Sequence, residues 1–388
     1  MKKIFLFVTS FLFVSSLFAQ NLSKLSQNYG FKMGAVISYS DLQKPKYLDL
    51  IKSDFESITA SNEFKAYSLL SQGETRRNPS KKPVMNYSKA DAIMDFAKKN
   101  NLKVRGHVLV WDAYMPDWFF RDNYLKSGNL VDSETMKKRL EFYINDVITH
   151  FETKYPGIIY CWDVVNEAVA DGTNECVPSD QRRVRTSRGG TTNYFYKVIG
   201  EDYVEFSFKC AKEAVKKNNA NITLYYNDYN TFYNDKTNAI INLVKSINKD
   251  EKLCDGVGMQ GYIGGYGKQE GCMRNSDINL VKNAITKFAN TLDVEVQLTE
   301  LALRNYKNDS KTQIAHADFY ANFFKMLKSV NTSTNSPLKV VSIWGLVNDP
   351  NASPTSYGYK MNGPYCGLYE SDFTKKIDYN KVVEVLQN

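Results

Sequence analysis

Polar and aromatic side chains fall at or just past a series of short apolar runs along the chain. They are Asn62, His107, Trp111, Asn166, Glu167, Asn227, Asp228, Gln260, Glu300 and Trp344. Amides, carboxylates and indole rings dominate, with few nucleophile, metal or phosphate motifs. Such a set suits a carbohydrate site, where flat rings face sugars and amides meet hydroxyls. Glu167 and Glu300 carry the chemistry. One carboxyl can protonate a glycosidic oxygen while the other attacks the anomeric carbon. A separation of ~5–5.5 Å gives retention through a covalent intermediate, whereas ~6.5–9.5 Å admits a water and gives inversion; both outcomes are open at this level. Two such groups brought close together raise one pKa, so that an acid stays protonated beside an ionised nucleophile. Each residue alone has a plainer explanation: His107 as a hydrogen-bonded core group, Trp111 and Trp344 as packing, a single Glu as a solvated strand end. Their conjunction is what points to a cleft.

The elements that must bring them together are eight strand-like runs, 33–37, 57–60, 103–110, 158–165, 223–226, 256–260, 294–299 and 340–344. Helical periodicity lies between them. Ile240, Leu243, Val244 and Ile247 share one face, as do Tyr203, Phe206, Cys210 and Ala214, and further helices fit 88–100, 133–151, 277–289, 312–330 and 379–386. Alternating strands and helices imply parallel pairing, and eight repeats predict an α/β fold, a closed (β/α)8 barrel with its site at the C-terminal ends of the strands. A doubly wound sheet fits less well, because the first strand-to-helix turn lacks a Gly-rich phosphate loop. No linker or repeat divides the chain, so residues 21–388 are expected to form one catalytic domain. The long stretch 170–193 carries Arg182, Arg183, Arg185 and Arg188 and is expected to be a solvated loop, with a rim for acidic substituents as the alternative.

The 388 residues, 43% hydrophobic and 24% charged, support a large core and exclude general disorder. The formal charge of +8 is spread without a Lys/Arg block, which argues against a nucleic-acid partner. Residues 1–20 read as a secretory signal: Lys2 and Lys3 precede an apolar run that ends near Ala19. The run is shorter than the ~20 residues of a spanning helix. A secreted or periplasmic protein is expected, without membrane attachment after cleavage, acting as a monomer. Six cysteines show no metal-ligand spacing, so no metal and zero to two disulfides are expected, with Cys161 and Cys210 as buried free thiols.

Several motifs together resemble glycoside hydrolase family 10, the retaining endo-β-1,4-xylanases. They are V-R-G-H-V-L-V-W at 104–111, P-D-W-F-F at 116–120, W-D-V-V-N-E-A at 162–168, V-I-G-E-D-Y at 198–203, L-Y-Y-N-D-Y-N at 224–230, D-G-V-G-M-Q-G at 255–261, L-T-E-L at 298–301 and W-G-L at 344–346. They run in order through nearly the whole mature chain. The resemblance implies a (β/α)8 barrel that cuts xylan or arabinoxylan without a cofactor, with Glu167 as acid/base and Glu300 as nucleophile. It also implies that Asn166 holds the substrate 2-hydroxyl, that Asn62, Lys65, His107 and Gln260 contact the glycone with Gln260 near the nucleophile, and that Trp111 and Trp344 wall the sugar.

Departures from the family pattern cluster around the same site. Asp112 follows Trp111 where the family usually has His, Tyr262 stands for the His of Q-G-H, and Ala302 stands for the Asp of T-E-L-D. Ser61 replaces a Glu before Asn62, and a second Trp is missing from 348–354. The missing His and Asp would tune the nucleophile in the family. Tyr262 can still donate a hydrogen bond to Glu300 but carries no positive charge at neutral pH, so an altered pH dependence is expected. Another β-linked or decorated polysaccharide, or a non-catalytic carbohydrate-binding barrel, is the alternative.

Overall fold

The computed structural model describes residues 21–265, 273–333 and 335–388. The expected signal segment and Cys272 lie outside them. The parallel strands β1 (Lys32–Ile37), β2 (Ser57–Ala60), β3 (Lys103–Gly106), β4 (Ile159–Asn166), β5 (Thr223–Asp228), β6 (Gly256–Met259), β7 (Glu295–Leu303) and β8 (Leu338–Ile343) pair in chain order. β8 then pairs with β1, with Met33 opposite Val341, and the sheet closes into the (β/α)8 barrel that the alternation of runs predicts.

Around the barrel lie α1 (Pro45–Asp54), α2 (Ser88–Lys99), α3 (Ser133–Lys154), α4 (Tyr203–Lys217), α5 (Asn234–Ile247), α6 (Asn275–Leu292), α7 (Ser310–Ser333) and α8 (Ile377–Gln387). The predicted α5 face of Ile240, Leu243, Val244 and Ile247 is buried, because a period of 3.6 residues stacks these positions on the side toward the sheet. α1 was not expected from the sequence. It begins with Pro45 at its first turn, a position that needs no N–H, and buries Tyr47 and Ile51 between charged residues that dilute its pattern.

Two strands differ from their predicted extents in ways that shape the site. β3 stops at Gly106, four residues before the end of the predicted run, and Val110 then bridges Val165 alone. β7 continues past Thr299 to Leu303, because Ala302 and Leu303 pair with Tyr262 and Ile263 beyond the end of β6. Glu300 therefore sits inside a strand rather than after one.

The barrel interior is not purely apolar. Arg105, fully buried, pairs with Asp163, donates to Gln297 Oε1 at 2.6 Å and lies 5.0 Å from the Tyr225 ring centre. A buried cation is tolerated only when its donors are met, and these partners come from three strands. This layer supports the site above it, since Asp163 also meets His107 Nδ1 at 2.8 Å. Cys161 and Cys210 are buried and unpaired, as expected, and so are Cys176, Cys254 and Cys366. Among the described residues no helix is long and apolar enough to cross a membrane, and no cluster could hold a metal ion.

Candidate active site

Glu167 follows β4 directly, and its backbone takes φ +56°, a left-handed value that residues with a Cβ rarely adopt. Its N–H donates to the Asn227 carbonyl at 2.8 Å, tying this turn to the end of β5. Glu300 is reached from the other side, where its N–H donates to the Gln260 carbonyl at 2.8 Å. Both side chains are buried, Glu167 at 6% and Glu300 at 7% exposure, which leaves only their tips open to a cleft.

Amide side chains join the two carboxyls. Asn227 Nδ2 donates to Asn166 Oδ1 at 2.9 Å and approaches Glu300 Oε1 at 3.4 Å, while its Oδ1 accepts from Thr299 at 2.8 Å. Gln260 Nε2 donates to Glu167 Oε1 at 2.8 Å. The expected neighbour of Gln260 was the nucleophile. Gln260 does lie beside Glu300, its backbone carbonyl accepting the Glu300 N–H, while its side chain holds Glu167. Gly258 makes the network fit, because a Cβ there would stand 2.2 Å from Asn227 Oδ1.

Tyr262 reaches Glu300 in the way expected of a substitute donor, with its hydroxyl donating to Oε2 at 2.5 Å. Burial, reinforced by the Glu300 charge, holds the Tyr262 phenol well above its ordinary pKa, so it remains a neutral donor. Burial also raises the Glu167 carboxyl to about 7, against the lowering effect of Arg188. Such a value suits a group that must give and take a proton near neutrality.

The remaining predicted residues lie around this pair. Lys65 Nζ donates to Asn62 Oδ1 at 3.2 Å and lies 5.1 Å from the Trp111 ring centre and 4.8 Å from that of Tyr114. Burial lowers its pKa, opposed by the charges of Glu300, Glu167 and Glu63. The His107 ring lies between the indoles, 6.1 Å from Trp111 and 6.5 Å from Trp344. Asn62 is exposed and Trp344 half-buried. Two buried donors, Asn166 Nδ2 and Trp111 Nε1, have no partner among the described residues. A buried donor without a partner costs about 1–3 kcal/mol.

Stretch 170–193 departs from the expected solvated loop. Arg185 is buried and bonds to the Glu167 and Val169 carbonyls at 3.3 and 3.1 Å, besides pairing with Glu175. Arg188 reaches into the cleft, where Nη1 meets Glu167 Oε2 at 2.8 Å and Nη2 meets Asp112 Oδ1 at 2.8 Å. A short hairpin delivers it: Ser187–Arg188 pairs with Thr191–Thr192 across Gly189 and Gly190, both at positive φ. Arg188, Tyr114, Tyr229, Tyr357 and Met361 join Trp111, Ala113, Glu167 and Gln260 around a pocket of about 280 Å³. The sequence had singled out Asp112 and the arginines separately. An unexpected acid and a surplus of bases are a signal for a pair, but only folding says which arginine is meant.

The profile of glycosyl hydrolase family 10 matches residues 21–385. Endo-1,4-beta-xylanase A of Thermotoga maritima is 35% identical over 371 residues, which is 93% of this chain and 30% of that relative. A putative endo-1,4-beta-xylanase of Caldicellulosiruptor saccharolyticus is 34% identical over 289 residues, covering 72% of this chain and 85% of its own length. Among solved structures, the CBM22-1–GH10 modules of Clostridium thermocellum xylanase 10B, complexed with xylohexaose, superpose with a TM-score of 0.80 at 28% identity. That match covers 94% of this chain and 67% of the other. The chain spans 30% of the length of the first two curated relatives it matches.

Proposed function

The chain belongs to glycosyl hydrolase family 10, and from that membership we propose that it is a retaining endo-β-1,4-xylanase acting on the backbone of xylan or arabinoxylan. The observation that carries this proposal is the pair of buried carboxyls, Glu167 after β4 and Glu300 within β7, joined through the side chains of Asn166, Asn227 and Gln260. In the first step Glu167 gives its proton to the glycosidic oxygen as Glu300 attacks the anomeric carbon, forming a glycosyl ester and releasing the leaving chain. In the second, Glu167 takes a proton from water as that water displaces Glu300. The Glu300 charge is one of the influences that raise the Glu167 pKa. Esterification removes that charge, so the Glu167 pKa falls just when the residue must act as a base. Asn166 Nδ2, a buried donor without a partner among the described residues, is the group for the sugar 2-hydroxyl.

Reducing-end release from soluble xylan, arabinoxylan and mixed-linkage glucan, measured side by side, tests the substrate. Cleavage of the xylans is expected, and release from glucan alone would overturn the assignment. The first product observed by NMR should be the β-anomer; an α-anomer would mean inversion. We further propose export, with 1–20 removed as a signal and the mature protein acting as a monomer. N-terminal sequencing of the exported chain should start near Gln20 or Asn21, and light scattering should give a single-chain mass.

A further inference from the structure

Unlike donors engage the two oxygens of Glu167: the Gln260 amide at Oε1 and the Arg188 guanidinium at Oε2, both at 2.8 Å. Arg188 is held from behind as well. Its Nη2 and Nε donate to Asp112 Oδ1 and Oδ2 at 2.8 and 3.3 Å, and Nη2 also reaches the Glu167 carbonyl at 3.0 Å. The Asp112 side chain is only 5% exposed and that of Arg188 25%, so this pair is built into the wall of the cleft.

A guanidinium has donors only and does not lose its charge in a protein. It binds Oε2 most strongly while Glu167 is ionised, and the contact loses its charge assistance once that oxygen carries a proton. We infer that Arg188, seated on Asp112, is a positioning residue that favours the ionised form of Glu167, weights the site toward the base half of the cycle, and yields Oε2 when a glycosidic oxygen enters. This rests on the proposed acid/base role of Glu167.

The other groups facing Glu167 are accounted for. Burial is the largest influence and raises its pKa; Arg188 opposes it most, Asp228 at the end of β5 and Glu300 on β7 add to the rise, and Gln260 lowers it. Lys65 after β2, Tyr114 after β3 and Tyr262 after β6 also feel the Glu167 charge. Among these, Arg188 is the group that pairs with the carboxyl and is itself anchored by a second acid.

The test is a titration of the Glu167 carboxyl by 13C NMR on protein labelled in its glutamate carboxyls, with the signal assigned by its disappearance in Glu167→Gln. Arg188→Met should raise the midpoint by about one pH unit or more, Arg188→Gln should do the same while keeping a neutral donor, and Arg188→Lys should restore most of the difference. On xylo-oligosaccharides the basic limb of kcat/KM should move upward with Arg188→Met and Arg188→Gln. An unchanged midpoint in folded Arg188→Met or Arg188→Gln overturns the inference, as does failure of Arg188→Lys to restore it. A wild-type chain inert on xylan would instead defeat the proposed activity, while the titration, which needs no substrate, would still read the Arg188 effect.

Discussion

The two carboxyls open onto the same cleft, yet the protein holds them by different means. Glu300 lies within a strand, and its oxygens meet neutral donors, the Tyr262 hydroxyl at 2.5 Å and Asn227 Nδ2 at 3.4 Å. Glu167 lies on a left-handed turn beyond its strand, with an amide on one oxygen and a cation on the other. A nucleophile keeps one protonation state until it reacts, so fixed neutral dipoles suffice and a rigid strand can carry them. An acid/base changes state twice per turnover, and its partners must tolerate both states. The cation on that side comes from a hairpin rather than a barrel strand, which places the charged contact where the proton moves.

The largest effect should come from breaking the rigid side. Glu300→Gln should leave no measurable release from xylan or from an aryl β-xylobioside, because neither substrate can form the glycosyl ester. Glu167→Gln should lower xylan turnover by about 10²–10⁴-fold but spare the first step on an aryl substrate whose leaving group departs without a proton. Burst kinetics with a chromogenic substrate separate the two; equal losses on that substrate would erase the distinction between the sides. Tyr262→Phe removes one donor and should cost ~1–3 kcal/mol, read as a fall of roughly 5- to 150-fold in kcat with the fold unchanged by circular dichroism. The smallest change needs no mutation. With the Glu167 carboxyl raised to about 7, the acid form required for the first step is lost as pH rises through that value, so kcat/KM on xylan should decline above about 7. A profile flat to pH 9 would place the proton on another group.

Local chain chemistry was enough to read the barrel, the strand order and the carboxyl pair. Parallel strands buried on both faces must be apolar for several residues, so Glu167 and Glu300 stand out wherever an acid interrupts or ends such a run. Tyr262 as the donor to Glu300 was expected only through the family resemblance, in which it stands for the His of Q-G-H. Less visible was the polar layer of Arg105, Asp163 and Gln297, whose members are scattered over three strands and meet only when the sheet closes. α1 was hidden by its charged faces, and the full length of β7 by its pairing with a distant segment, Ala302 and Leu303 lying opposite Tyr262 and Ile263.

Arg188 marks the boundary most clearly. Its neighbours in the chain are Ser, Gly and Thr, which describe a solvated turn, and nothing within ten residues names Glu167 or Asp112 as its partners. Those partners lie 21 and 76 residues away. Periodicity and motif spacing report on contacts that repeat along the backbone. A charge pair between two loops depends on where closure of the barrel leaves their tips, and that is a property of three-dimensional packing.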